Sequence, residues 1–221
     1  MMDERRRRRA SNVGVIISGP QWVNSTKTRD TFSIYSETKE DLVVGDTSIS
    51  WSVQLIDSYF ENGSNANLIV RLYESSDGTN WTLVGSRSTS VITGSQKSAY
   101  TNFSSGSVQE GLFYKLDYEL NCLPIWIASE KDIDLTINGE NRPALNYGAT
   151  GLNVSVNEIT NNNLTPGEDL MIYGVLKANN VEISNVGVNG FNGDVFQFNL
   201  NVPGGIKYNT KYRMRYTEQM D

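Results

Sequence analysis

The chain contains no histidine at all. That absence removes Ser-His-Asp and Cys-His catalysis, His-ligated zinc, and the side chain that most often serves as general base. Cysteine occurs once, as Cys122, so neither an internal disulfide framework nor a cysteine-built zinc site can form. Lying between Asn121 and Leu123, Cys122 reads as a buried, inert thiol. The usual phosphate cradles are missing too, with no G-x-x-x-x-G-K-[ST] loop and no G-x-G-x-x-G fingerprint. No apolar run approaches the roughly 18 residues of a membrane span. The short apolar stretch Val13-Gly14-Val15-Ile16-Ile17 also falls below a secretory core of about 7–15 residues. We therefore expect a chain made in a cytoplasm and soluble there, with no membrane partner.

Carboxylates remain as candidate catalysts, because glycoside cleavage needs only a pair of them. Asp132 with Asp134, and Glu168 with Asp169, are such pairs. A wet β surface with 25 acidic residues supplies neighbouring carboxylates without catalytic meaning, and both pairs read as solvated. Asp77-Gly78-Thr79-Asn80 is better explained as a hairpin turn than as a calcium loop. The expectation is a protein that is not an enzyme and uses no cofactor and no metal.

What the chain does have is turn chemistry and alternation. Asparagine is abundant at 24 residues, and glycine (19) far exceeds proline (5). Both residue types supply the positive φ angles of tight turns. Ile49, Trp51, Val53 and Leu55 alternate with polar residues, as do Leu68, Val70 and Leu72. Leu112, Tyr114, Leu116, Tyr118 and Leu120 make the longest such run. Phe196, Phe198, Leu200 and Val202 follow, then Tyr208, Tyr212, Met214 and Tyr216 around Lys211, Arg213 and Arg215. Each run predicts a half-buried strand with one wet face. No useful stretch has a 3.6-residue period, so the fold class is all-β. Residues 61–65, 76–80 and 189–193 are predicted hairpin loops.

A boundary is expected near residues 128–146. It divides the chain into a basic arm at 1–12, a β-sandwich at 13–130 and a smaller Ig-like sandwich at 131–221. No sequence repeat is evident between the halves, which excludes a solenoid. Trp51 is in phase with Ile49 and Val53 and reads as core, as does Trp81, close to Leu83. Trp126, between Ile125 and Ile127, is the candidate for an aromatic carbohydrate platform. The row Lys211, Arg213 and Arg215 reads as a solvated edge.

Charge is distributed unevenly. Five consecutive arginines, Arg5, Arg6, Arg7, Arg8 and Arg9, stand at the start of a chain whose net charge is −6. Such a block is an interaction element. Five arginines are few for genome packaging, and the rest of the chain is acidic. Docking onto carboxylates of a neighbouring subunit is therefore the first reading, and nucleic acid is the second. A membrane patch has no amphipathic helix beside it to support it.

The string Glu74-Ser75-Ser76-Asp77-Gly78-Thr79-Asn80-Trp81-Thr82-Leu83-Val84 resembles a hairpin of β-sandwich domains in tailed-bacteriophage virion proteins. Gly111-Leu112-Phe113-Tyr114-Lys115-Leu116 resembles the returning strand of those domains. Leu164-Thr165-Pro166-Gly167-Glu168-Asp169-Leu170, with Gly174 beyond it, is similar to the opening of an Ig-like module appended to phage heads and tails. The resemblance covers about a third of the chain and carries over no catalytic residue. It implies an auxiliary or decoration protein of the virion, with capsid proteins or further copies of the same chain as partners. Two alternatives stand beside it: a jelly-roll coat protein with a genome-binding arm, and a carbohydrate-binding module of a phage adhesion device.

Overall fold

The computed structural model describes residues 19–29, 32–56 and 60–219. Among them there is no helix. The fold is all-β, two sandwiches in tandem whose strands pair antiparallel except for two short strands in each that pair parallel.

The first sandwich holds β1 (Gln21–Trp22), β2 (Thr26–Lys27), β3 (Ser33–Lys39), β4 (Ser48–Ile56), β5 (Asn65–Ser75), β6 (Thr82–Ile92), β7 (Gln96–Asn102) and β8 (Phe113–Cys122). One sheet runs β1-β8-β5-β6, with β2 also pairing β8, and the other runs β3-β4-β7. The second sandwich holds β9 (Ile125–Trp126), β10 (Glu130–Lys131), β11 (Leu135–Asn141), β12 (Gly151–Asn161), β13 (Asp169–Ala178), β14 (Val181–Phe191), β15 (Phe196–Asn201) and β16 (Lys211–Thr217). Its sheets run β9/β10-β16-β13-β14 and β11-β12-β15. Strand for strand, this is the first topology again.

Alternation explains the cores. In β8 the inward residues Tyr114, Leu116, Tyr118 and Leu120 are buried, and in β4 so are Ile49, Trp51, Val53 and Leu55. In β16 the inward set is Tyr212, Met214 and Tyr216. Full burial of one such side chain contributes roughly 1.5–3 kcal/mol. The buried side chains form two separate clusters, one from Phe32 to Cys122 and one from Leu135 to Tyr216. Cys122 is buried, as expected.

The turns depart from expectation in two of three places. Residues 76–80 do join a hairpin, β5 to β6. Residues 61–65 and 189–193 instead carry the chain from one sheet to the other. Composition could not separate these cases, because a sheet-to-sheet corner needs the same positive φ as a hairpin, here at Gly63 and Gly193. A tight hairpin at Asn179-Asn180 was not anticipated. Both residues are left-handed, at φ 50° and 67°, the geometry of a two-residue type I′ turn. Residues 164–170, which resemble the opening of a module, lie instead midway through the second sandwich, running from the corner after β12 into the start of β13.

Pairing passes to the second sandwich between Cys122 and Ile125, because β9 and β10 both pair with β16. That handover precedes the division at 130/131 expected from the sequence. Asn209 seals it: its N–H donates to Cys122 O at 2.9 Å, and its side-chain oxygen accepts the Cys122 N–H at 2.8 Å.

Candidate functional site

The most elaborate polar assembly occurs twice. In the first sandwich Tyr118 Oη–H and Ser25 Oγ–H both donate to Glu37 Oε1, at 2.7 and 2.5 Å. Lys39 pairs with Glu37 at 3.5 Å, donates to Val23 O and lies over the Trp22 ring. Trp22 Nε1–H donates to Glu40 O, and its ring meets Tyr114 edge-on. In the second sandwich Tyr216 and Ser129 both donate to Glu140 Oε1 at 2.7 Å. Arg142 pairs with Glu140, donates to Ile127 O and covers Trp126, which bonds Pro143 O and meets Tyr212 edge-on. Tyr114 and Tyr212 each also accept a backbone N–H from five residues upstream, Gln109 and Lys207 respectively.

These correspondences form a sparse internal repeat: Trp-x-x-Ser, then Glu-x-Lys/Arg, then Tyr-x-x-x-Tyr. The expectation of no repeat is corrected on this point. Backbone bonding repeats as well. Gly45 N–H donates to Val108 O as Gly148 N–H does to Ile206 O, and Gly94 N–H to Leu55 O as Gly193 N–H does to Ile159 O.

Chemically, both assemblies are spent. Burial first, then the neighbouring Glu37 carboxylate, pushes the Tyr118 hydroxyl far above its ordinary range. Burial and the hydrogen bond to Glu140 do the same for Tyr216. Protonated phenols locked onto a carboxylate hold strands together, and neither is poised as a base.

The other candidates fall into place in turn. Trp51 is core, as expected, and donates to Thr101 Oγ1 at 2.9 Å. Trp81 is not core: it is half-buried beneath Lys115 Nζ at 4.3 Å, and Leu83 beside it is 51% exposed. Trp126 offers no open platform, since Arg142 covers its ring. The Lys211, Arg213 and Arg215 row is not a solvated edge, because β16 is an interior strand. Arg213 pairs with Glu130 and Arg215 with Asp132. In the first sandwich the matching outer face carries the opposite order, with Arg71 on β5 bridging Glu119 (2.6 Å) and Asp117 (3.6 Å) of β8. That ion pair holds Glu119 below, and Arg71 above, its ordinary range.

Of the carboxylate pairs, Asp132 is engaged by Thr217 Oγ1–H at 2.6 Å, and Glu168 accepts Thr165 N–H at 2.6 Å. Among the described residues, no group of three His, Cys, Asp or Glu could hold a metal. No described helix is long and apolar enough to cross a membrane. Arg5 to Arg9 lie outside the described residues.

One cleft lies between the two halves of the tandem. The cleft, about 220 Å³, is lined by Arg29, Glu119 and Asn121 of the first sandwich and Tyr147, Lys207 and Tyr208 of the second. Tyr147 and Tyr208 stack at 4.1 Å. Sequence reasoning missed this site because its residues lie far apart in the chain and share no motif.

No family model matches the chain, and no curated protein does. Among solved structures it is similar to red sea bream transglutaminase (8% identity, TM-score 0.25), covering 87% of this chain and 32% of that one. It is similar also to a glycosyl hydrolase family 2 member from Bacteroides cellulosilyticus (8% identity, TM-score 0.26), covering 77% of this chain and 28% of that one. A third similarity is to Escherichia coli alpha-2-macroglobulin activated by porcine elastase (9% identity, TM-score 0.26), covering 86% and 22%. The chain thus spans a third or less of the length of these proteins.

Proposed function

We propose that this protein is a structural component of a tailed-bacteriophage virion, an auxiliary or decoration protein whose basic arm docks on the capsid or a neighbouring subunit. The observation that supports this reading is positional. Gly19, the first described residue, leads into β1 at the free end of the first sandwich, so residues 1–18 join the tandem at its extremity. An arm joined there can grip a surface while two sandwiches project from it. The polar assemblies above hold the strands of each sandwich together, which suits a projecting element. The coat-protein alternative requires one jelly roll, and two cores replace it. The adhesion-module alternative rests on Trp126, whose ring Arg142 covers. Nucleic acid stays the second partner for the arm.

Deleting residues 1–12 is expected to abolish incorporation into particles while leaving the far-ultraviolet circular dichroism of the remainder unchanged. Normal incorporation of the truncated protein would defeat the proposal.

A further inference from the structure

We propose that the chain binds a second copy of itself end to end, with Ile133 of one copy seated against Val43 and Val44 of the next. The internal junction is the template. There the closing end of the first sandwich, with Arg29 and Asn121, faces the opening end of the second, with Tyr147 and Tyr208, across the cleft. Both sandwiches share one topology, so each free end of the tandem has a counterpart at that junction.

The counterparts follow from the repeated backbone bonds. Thr28 N–H donates to Tyr118 O as Asp132 N–H does to Tyr216 O, so Ile133 stands where Arg29 stands. Since Gly45 and Gly148 are equivalent, Val44 stands where Tyr147 stands. Arg29 and Tyr147 line the same cleft inside the molecule. Their counterparts at the free ends are both apolar: Ile133 is 92% exposed, and Val43 and Val44 are each 57% exposed. A second copy added by the internal rule brings these aliphatic groups together and removes them from water.

Acidic residues stand at both ends that meet in this contact. The Ile133 end carries Asp134, Glu168, Asp194 and Glu218, and the Val44 end carries Glu40, Asp41, Asp46 and Glu110. Two acidic ends repel each other. Residues 10–18 separate Arg9 from Gly19 at the Val44 end, a reach of at most ~35 Å. The five arginines can therefore stand between the two ends and offset both. The contact is heterologous, and it propagates as a rod or closes as a ring. It is also weak: within the chain the Leu123-Pro124 linkage raises the effective concentration to roughly millimolar, and between chains nothing does. This inference does not depend on the virion reading.

Sedimentation velocity on the full chain, in a concentration series reaching the millimolar range, tests it with Ile133→Asp and Val44→Asp. Both positions are exposed, and unchanged circular dichroism and melting midpoint will confirm that each variant folds. The wild type is expected to form dimers and larger species as concentration rises, and each variant alone to stay monomeric. An equimolar mixture of the two is expected to stop at a one-to-one dimer, because only one intact pair of ends remains. Monomeric wild type throughout, self-association of either variant alone, or a mixture no larger than its components would each overturn the proposal.

Discussion

The two sandwiches keep one polar frame and fill it with different cores. In the first, Trp51 on β4 meets Tyr118 edge-on at 6.2 Å, and the equivalent of Phe198 is only Ala99. In the second, Val154 replaces the tryptophan, and Phe198 on β15 supplies the ring against Tyr216 at 5.4 Å. Gly174 stands where Val70 stands, and it makes room: a Cβ there would lie 2.4 Å from Phe198 Cδ1. The aromatic bulk has moved from one sheet strand to another. Cores tolerate such exchanges when volume and pattern are kept. Side chains tied by directed hydrogen bonds do not exchange so freely, and this is why Ser, Glu, Lys/Arg and Tyr recur at their positions.

The largest expected effect comes from breaking that exchange. Phe198→Ala should destabilise the second sandwich by about 3–5 kcal/mol, and Gly174→Val by about 1–3 kcal/mol through overpacking. The double variant recreates the Val70/Ala99 arrangement without the Trp51 that completes it. Its loss is therefore expected to be smaller than the sum of the two single losses, because the valine occupies space the ring has left. Urea unfolding followed by tryptophan fluorescence measures all three. Strict additivity would show that the two positions do not share a volume.

Next in size is the shared frame. Glu37→Gln and Glu140→Gln each replace a carboxylate that accepts from a buried Tyr and a Ser, and each should cost about 1.5–3 kcal/mol. The comparison predicts similar losses for the two. A loss confined to one variant would mean that the frame holds only one sandwich together. The tyrosines add a pH signature. Their hydroxyls are pushed upward, so their contribution is complete below the ordinary phenol value of 10.0 and is lost as pH rises beyond it. Tyr118→Phe is expected to remove part of that alkaline fall, read from melting midpoints between neutral pH and pH ~11.

The strands with inward runs of large residues, β4, β5, β8, β15 and β16, were legible because alternation is local. Strands such as β14, Val181 to Phe191, were not: Ser184, Asn185, Gly187 and Asn189 dilute the pattern on an edge strand. The repeat was hidden for a different reason. It survives only at residues joined by polar contacts, and those are separated by segments of unequal length. One source of the mismatch is β12, where Asn157 and Glu158 both face outward and put one extra residue between Val156 and Ile159. The core exchange removed the hydrophobic positions that would otherwise have aligned. The cleft and the two free ends were illegible, since only the strand pairing says which loops share an end.

The smallest expected effect lies where the two sandwiches differ most openly, in the hairpins joining β5 to β6 and β13 to β14. The second closes with two left-handed asparagines. The first spans residues 76–81 and is organised by one side chain. Asp77 Oδ1 accepts the backbone N–H groups of Thr79 and Asn80, both at 2.8 Å, and the Ser75 hydroxyl at 2.9 Å. These bonds, the one from Asn80 N–H foremost, hold the carboxyl well below its usual value of 3.8. A depressed carboxyl contributes fully above that value and loses its contribution as pH falls below it. The loop is solvent-exposed and the strands around it are long, so Asp77→Ala should leave the global midpoint little changed at neutral pH. Amide exchange should show the local effect, with protection at Thr79 and Asn80 lost in the variant and, in the wild type, falling only under strongly acid conditions. Asn179→Ala in the other hairpin is expected to show no acid dependence, because no carboxylate closes that turn. An acid-dependent loss there, or unaltered protection at Thr79 in Asp77→Ala, would show that turn length rather than the carboxylate orders the first hairpin.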